Sequence, residues 1–335
     1  MTRIPLSIAG ANTLLGQHLL ARLVNSQRFI ITSLHDKLAL QGVESIADSQ
    51  DWSVDPEVAE AFRQVPLLPP AVQASAPLLA SFLPDDDAQQ VEARHLARGT
   101  RVLTHGEYAR LHRPLAIPGR LHELPPHARH CATPNCTTAM CTLPLQALQG
   151  DYGIQSVTIT ALQAISGTDL PGMQAHAIHD QVIGHLPGEA NALKNELGVI
   201  FSHQFPIHTF ATRVPVWRGH TLTLAAVLND KTDIARIEQT LSAMPGITLV
   251  TPSIGLATGR PLFHSDRAIT TVGALRVADG RKVADSTGRA SRSGTTSGGT
   301  TVMMTLTGDN LGAATSGLML RALERLFQAD TTQSQ

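Results

Sequence analysis

The sequence predicts an α/β domain followed by an α+β domain. Three observations carry this. Near the start, alternating Ile4, Leu6 and Ile8 lead to Gly10 and then to apolar residues at helical spacing. Beyond about residue 150, strand-like and helical runs follow an irregular order that suits an antiparallel or mixed sheet. The chain has 335 residues and 42% hydrophobic content, enough for one large or two medium cores.

The elements follow in order. After Gly10, Leu14, Leu15, Leu19, Leu20, Leu23 and Val24 form one helical stripe, and Phe29-Ile30-Ile31-Thr32 reads as a second strand. That β-turn-α-β unit is the opening of a Rossmann-like dinucleotide-binding domain. Residues 55–83 carry short apolar runs broken by Pro66, Pro69 and Pro70. Val91 to Ala97 fits a short helix, and Arg101-Val102-Leu103 a strand after Gly99. Prolines 114, 118, 125 and 126 then separate this region from Cys136, and the boundary is placed there. The run after Cys136 (Met140, Leu143, Leu145, Leu148) has helical spacing, expected to break early at Pro144.

In the second half, Ser156 to Thr160, a stretch within Ile207 to Val216, and Leu222 to Leu228 read as strands. Residues 174–200 read as two helical pieces divided at Pro187-Gly188, and Ile234, Ile237 and Leu241 mark a further helix. Residues 285–300 are polar and glycine-rich, so a mobile loop or hairpin tip is expected. Leu311 to Phe327 is an amphipathic helix, and the tail from Asp330 is expected to be disordered.

Composition excludes several classes. A net charge of −1 gives no electrostatic case for nucleic acid or an anionic membrane, and 4% aromatic content gives little for base stacking. No signal core and no run long enough to span a bilayer is present. Cys131, Cys136 and Cys141 are odd in number and clustered, so disulfides are not expected and a cytoplasmic location is. The C-x4-C-x4-C spacing is not a usual zinc pattern, and no metal is expected. The fifteen histidines are expected mostly at the surface.

Four motifs carry chemistry. Cys136 in Thr133-Pro134-Asn135-Cys136-Thr137-Thr138 falls at a loop-to-helix junction, where a helix N-terminus favours thiolate; a packed small hydrophobe is the alternative. Gly10-Ala11-Asn12-Thr13-Leu14-Leu15-Gly16 lies between strand and helix, where backbone can approach a pyrophosphate; a tight turn without ligand is the alternative. Asp36 follows the second strand, where a carboxylate binds a ribose diol and repels a 2′-phosphate, whereas the flanking His35 and Lys37 would favour that phosphate. Arg213 and His220 are seven apart around a strand end and suit carboxylate binding and proton transfer; Gln163 follows another strand and suits orienting an acyl group. Solvated side chains are the plainer reading of all three.

Together these blocks resemble the aspartate-semialdehyde dehydrogenase family, above all its archaeal and fungal branch. The likeness lies in TPNCTTA around Cys136, LQAISG around Gln163, RVPVWRGH from Arg213 to His220, DNLGAA from Asp309 to Ala314, and the opening GANTLLGQ. It implies a cytoplasmic oxidoreductase of lysine, threonine and methionine biosynthesis. That enzyme reduces aspartyl-β-phosphate to aspartate semialdehyde with NADP or NAD, through a thioacyl cysteine. By the same resemblance Cys136 is the nucleophile, His220 the acid/base and Gln163 the residue that positions the acyl group. Arg213, Arg110, Asn135 and Glu189 would bind substrate. Gly10, Asn12, Thr13, Leu14, Leu15, Gly16, Ser33, Asp36, Ser166, Gly167 and Asn310 would bind cofactor. The implied layout is an NAD(P)-binding domain over 1–133, completed by a C-terminal helix at 311–328. A catalytic and dimerisation domain spans 134–310, and the expected assembly is a homodimer or homotetramer.

The sequence also departs from the family. Ala192 stands where a lysine is usual three residues after Glu189, Gly119 stands where an acidic residue is common, and His35-Asp36 replace the usual arginine and serine. Ala192 and Gly119 open a second reading, the same chemistry on another acyl phosphate or acyl-CoA; the altered glycine loop, with Asn12-Thr13 where Thr-Gly is common, opens a third, a non-catalytic nucleotide-binding relative.

Overall fold

The computed structural model describes residues 3–168, 170, 172–250, 268–279 and 299–331. The chain forms two compact units. The first comprises Met1–Ala139, Ile165–His179 and Asn310–Gln335, and the second Met140–Ala164 and Asp180–Asp309.

The first unit opens with β1 (Ile4–Ala9), α1 (Leu14–Leu23) and β2 (Phe29–His35). It continues through α2 (Pro56–Ala61), β3 (Leu67–Leu68), β4 (Leu78–Ser81), α3 (Asp85–Ala97), β5 (Arg101–Thr104), α4 (Glu107–Arg110) and β6 (His130–Ala132). All five strand pairs are parallel, in the order β3-β2-β1-β4-β5-β6. This is the doubly wound arrangement, which reverses between β1 and β4 and offers a ligand crevice at the strands' carboxyl ends there. The strands are near-continuous apolar runs, as a sheet covered on both faces requires. Leu6 and Ile8 of β1 and Leu19 and Leu20 of α1 are fully buried in one core.

α5 (Cys136–Tyr152) carries the chain from the first unit into the second. There follow β7 (Ile154–Gln163), α6 (Ala175–Ile178), α7 (Glu189–Ile200), β8 (Ile207–Arg213), β9 (His220–Leu228), α8 (Ile234–Ala243), β10 (Ile247–Leu249), β11 (Thr270–Asp279) and β12 (Thr300–Gly308). Their sheet runs β10-β11-β12-β9-β7-β8, with parallel pairs at its two edges and antiparallel pairs between, so it is mixed. Burial alternates along β8, β9 and β12. Val157, Ile159, Leu222, Leu224, Val302 and Met304 are buried on one face. The other presents Phe210, Thr160, Thr223 and Thr305 in one register row and His208, Thr158, Ala225 and Met303 in the next. Phe210 is 62% and Met303 37% exposed on it.

The last segment returns to the first unit. Gly312–Ser316 form a π-helical turn, where Ser316 Oγ donates to Leu311 O (2.6 Å) and accepts from Arg22 Nε (2.9 Å). α9 (Gly317–Thr331) then adds Met319, Ala322, Leu323 and Leu326 to the core around β1.

Several expectations are corrected. Pro144 does not end α5, which runs on to Tyr152. Leu143, Leu145, Ala147 and Leu148 are buried, and this packing offsets the lost backbone hydrogen bond, a defect of about 3 kcal/mol. α3 starts at Asp85, six residues before Val91, with Asp85, Asp86 and Asp87 in its first turn, where carboxylates favour a helix N-terminus. Asp330 is helical rather than part of a disordered tail, and the helix expected from Leu311 starts as a π turn. Of the histidines expected mostly at the surface, His35, His95 and His220 are the buried exceptions among the described residues. The loop expected at 285–300 lies outside the described residues except for Gly299 and Thr300, and Thr300 opens β12. Residues 332–335 also lie outside them.

Candidate active site and cofactor turn

The glycine turn follows β1 at the reversal of strand order. Gly10 has φ +70°, and a Cβ there would fall 2.6 Å from the Phe82 carbonyl oxygen at the end of β4. A Cβ on Gly16 would fall 2.2 Å from Gly10 O. Only glycine allows this close crossing of turn, helix and neighbouring strand. Thr13 caps α1: its hydroxyl donates to Gly10 O (2.7 Å) and accepts from Gly16 N (3.1 Å). Leu14 and Leu15 open the helix, so their N–H groups lie in a turn that has no intrahelical acceptors for them. The residues present therefore fit a dinucleotide pyrophosphate.

At the end of β2, the Asp36 carboxylate accepts from Asn12 N (2.9 Å) and Leu38 N (3.2 Å). Burial pushes its carboxyl above the usual range, opposed by the N–H groups of Asn12, Leu38 and Lys37 and by the Lys37 charge. Ser33 lies two residues below the strand end. Its hydroxyl is part of an interior network with Ser7 Oγ (2.7 Å), His35 Nε2 (2.9 Å) and Ser75 Oγ (3.1 Å). Ser166 and Asn310, 144 residues apart, meet with side-chain polar atoms 3.1–3.2 Å apart; Gly167 adjoins Ser166 in a short 3₁₀ turn.

Residues 131–145 are buried except Asn135 and Cys136. Asn135 caps α5: its Oδ1 accepts from Thr137 N (3.0 Å), Thr137 Oγ1 (3.0 Å) and the Cys136 thiol (3.3 Å). The thiol thus stands on the first residue of a 17-residue helix, at the positive end of its dipole. The other two cysteines differ. Burial pushes Cys131 up to about 11 and Cys141 higher still, so both stay neutral and inert. Nearby, Arg110 is buried and donates through Nη2 to His105 O (2.7 Å), and His105 Nδ1 lies 2.8 Å from Thr133 Oγ1.

In the second unit, one end of the mixed sheet gathers four side chains. Gln163 ends β7, Arg213 ends β8 in register with it, and His220 begins β9 on the other side of β7. The Ala164 main chain ties them together: its carbonyl accepts from Arg213 Nη1 (2.7 Å) and its N–H donates to His220 Nδ1 (3.0 Å). Gln163 Oε1 accepts from Arg213 Nη1 (3.3 Å), and Gln163 Nε2 donates to Glu189 Oε2 (2.9 Å) at the start of α7. A backbone N–H can only donate, so Nδ1 of His220 is the acceptor and the neutral ring carries its proton on Nε2. That Nε2 is buried without a hydrogen-bond partner. Burial, then the Arg213 charge, lower the His220 pKa to about 3, with Asp309 opposing.

The linking role of Ala164 and the fork from Arg218 to Asp309 (2.8 and 2.7 Å) were not anticipated. Both halves of that fork lie inside blocks singled out from the sequence, but a pair 91 apart has no local signal. Ala192 is buried and Lys194 exposed, so the lysine does not take the alanine's place on α7. Gly119 has φ +77°, a conformation an acidic residue would adopt only with strain. Among the described residues no group of three metal-ligating side chains is clustered, and no helix is long and apolar enough to cross a membrane.

Residues 145–284 match the family model described as semialdehyde dehydrogenase, dimerisation domain. The aspartate-semialdehyde dehydrogenase of Archaeoglobus fulgidus is 30% identical over 244 residues, 65% of this chain and 70% of that protein. That of Methanothermobacter thermautotrophicus is 26% identical over 268 residues, 73% and 77% of the two chains. Among solved structures, aspartate semialdehyde dehydrogenase II of Vibrio cholerae, complexed with ASA, superposes with a TM-score of 0.76 at 15% identity, covering 98% of this chain and 99% of that one. The Candida albicans enzyme with NADP gives 0.72 at 18% identity, covering 97% and 99%. These two show a common fold.

A doubly wound nucleotide domain joined to a mixed-sheet domain of this type places the chain among the NAD(P)-dependent dehydrogenases. Within that class it belongs to the aspartate-semialdehyde dehydrogenase family.

Proposed function

We propose that this chain reduces aspartyl-β-phosphate to aspartate semialdehyde and phosphate, with Cys136 as nucleophile. The observation that carries the residue assignment is the exposure of Cys136 alone among three thiols, on the first turn of α5. The Cys136 sulfur attacks the acyl carbon; the C–O bond to phosphate breaks and phosphate leaves with the electron pair, giving a thioester. A bound nicotinamide dinucleotide supplies the hydride that reduces this thioester. The resulting hemithioacetal collapses, releasing the aldehyde and the thiolate.

His220 shares the proton on Nε2, the atom its hydrogen bond from Ala164 leaves protonated, with the oxygen that gains charge as hydride arrives, and takes it back as the hemithioacetal collapses to aldehyde and thiolate. Gln163 orients the acyl group, Arg213 holds the substrate α-carboxylate with Glu189 nearby, and Arg110 and Asn135 hold the phosphate. The supporting features are the hydrogen-bonded set around Ala164 and the capping of α5 by Asn135. The cofactor, NADP or NAD, takes the turn from Gly10 to Gly16, with Ser166, Gly167 and Asn310 beside it.

The assembly in this reading is a homodimer, or a tetramer built from dimers, joined through the open face of the mixed sheet. Phe210 and Met303 on that face, and the dimerisation-domain match, support it. All three cysteines are thiols, which suits the cytoplasm. The test is phosphate-dependent reduction of NAD or NADP by the purified protein with aspartate semialdehyde. Turnover lost in Cys136→Ala is expected; no turnover by folded wild type refutes the proposal.

A further inference from the structure

We infer that the carboxylate of Asp36 makes this chain select NAD over NADP, by accepting the adenosine ribose hydroxyls and repelling a 2′-phosphate. The inference rests on the proposed function, since it concerns the cofactor of that reaction. Sequence left the choice open, because His35 and Lys37 flank Asp36 and either could offer a cation to the phosphate. The structure disposes of both.

His35 is fully buried, with Nε2 2.9 Å from Ser33 Oγ and its ring edge-on to His95. Burial, with the His95 charge, lowers its pKa to about 4, so it is neutral near pH 7. It points into the interior and brings no charge to the rim. Lys37 reaches the other way and pairs with Asp87 Oδ2 at 2.5 Å, in the first turn of α3. Asp36 and Asp86 also act on it electrostatically. One ammonium group therefore faces three carboxylates, and the local balance is anionic where a 2′-phosphate would arrive.

Asp36 itself is held in place. Asn12 N–H fixes Oδ2 and Leu38 N–H fixes Oδ1, which ties the carboxylate to the glycine turn and leaves acceptor capacity over. A ribose diol donates hydrogen bonds and can fill that capacity; a phosphate dianion has only acceptors to offer and a charge of the wrong sign. The same contact with Asn12 N places the carboxylate one residue from Thr13, the cap of α1. Pyrophosphate and ribose subsites are thus set by one connected turn.

Direct binding of NADH and NADPH to the purified full chain, followed by calorimetry or ligand fluorescence, tests this without any substrate. NADH is expected to bind more tightly by about tenfold or more, the effect of one unscreened like-charge contact. Asp36→Asn keeps an acceptor for Asn12 N–H, removes the charge, and should shrink the ratio to within about threefold. Asp87→Asn leaves the glycine turn intact, releases Lys37, and should shift the ratio the same way. A smaller ratio in Asp36→Asn supports the inference, and one that moves only in Asp87→Asn overturns it. NADPH binding as tight as NADH in wild type, or a ratio unmoved in both variants, overturns it while leaving the proposed reaction standing. Failure of folded wild type to bind either dinucleotide overturns the proposed function itself.

Discussion

Two side chains in a run of fifteen reach solvent at the junction of β6 and α5, and they are an asparagine that caps and a cysteine that follows it. This arrangement gives sharp expectations. Cys136→Ser should lower kcat by at least about a thousandfold with an unchanged melting temperature, because the nucleophile is lost and nothing in the core moves. Alkylation by iodoacetamide near pH 7, mapped by mass spectrometry, should label Cys136 well before Cys131 or Cys141; equal or slower labelling of Cys136 would count against an activated thiol. The Cys136 junction was legible because Pro134 and the apolar spacing after it are local. The Ala164 links to Arg213 and His220 were not, since backbone groups have no signature in sequence and their partners lie 49 and 56 residues away.

Buried histidines add a pH dependence at the same scale. His35 and His220 have pKa values lowered from 6.5 to about 4 and about 3. An unfolded chain protonates both below about pH 6.5, while the folded chain stays neutral there, so the unfolded state binds more protons. Stability should therefore fall as pH drops from about 6.5 towards 4, by at most about 1.4 kcal/mol per unit for each histidine. Melting temperature against pH should show this slope, and His35→Asn should flatten it. An identical slope in the variant would exclude His35 as a contributor.

Among elements, the β1–α1 turn is the most constrained. Gly10→Ala must overcome both a positive φ and a 2.6 Å approach to the Phe82 carbonyl. A loss of about 1–3 kcal/mol is expected in urea unfolding, with weaker dinucleotide binding. Gly42 is a control for backbone strain alone, with φ +82° and open space around it, so Gly42→Ala should cost about 1–2 kcal/mol and leave binding unchanged. Elements with strong periodicity, α1, α7 and α8, were readable from their apolar spacing. β11 and β12 were not. Threonines interrupt the apolar residues of both strands, so hydrophobic runs are short, and pairing holds them in place: β12 with β9 and β11, and β11 also with β10. Pro144 misled for the opposite reason: tertiary burial outweighs a local helix breaker.

For the whole molecule, the unequal faces of the second sheet bear on the proposed assembly. Four threonines, Phe210 and Met303 alternate with a fully buried opposite face, and such a surface matches the proposed dimer contact. Phe210→Glu combined with Met303→Lys should convert the dimer to monomer in analytical ultracentrifugation, with each unit still folded by circular dichroism. An unchanged sedimentation coefficient would move the interface elsewhere.

The wide turn at 312–316 stores one surplus residue in a helix that is otherwise regular, and every residue of it is enclosed. Closing this turn as regular α-helix with every residue kept would swing everything downstream by about 100°. Leu318, Ala322 and Leu326 would then leave the interior they now fill. The wide turn thus keeps the buried stripe of α9 in place, and a single-residue insertion in α9 just after it should abolish recovery of folded protein where a conservative replacement would not.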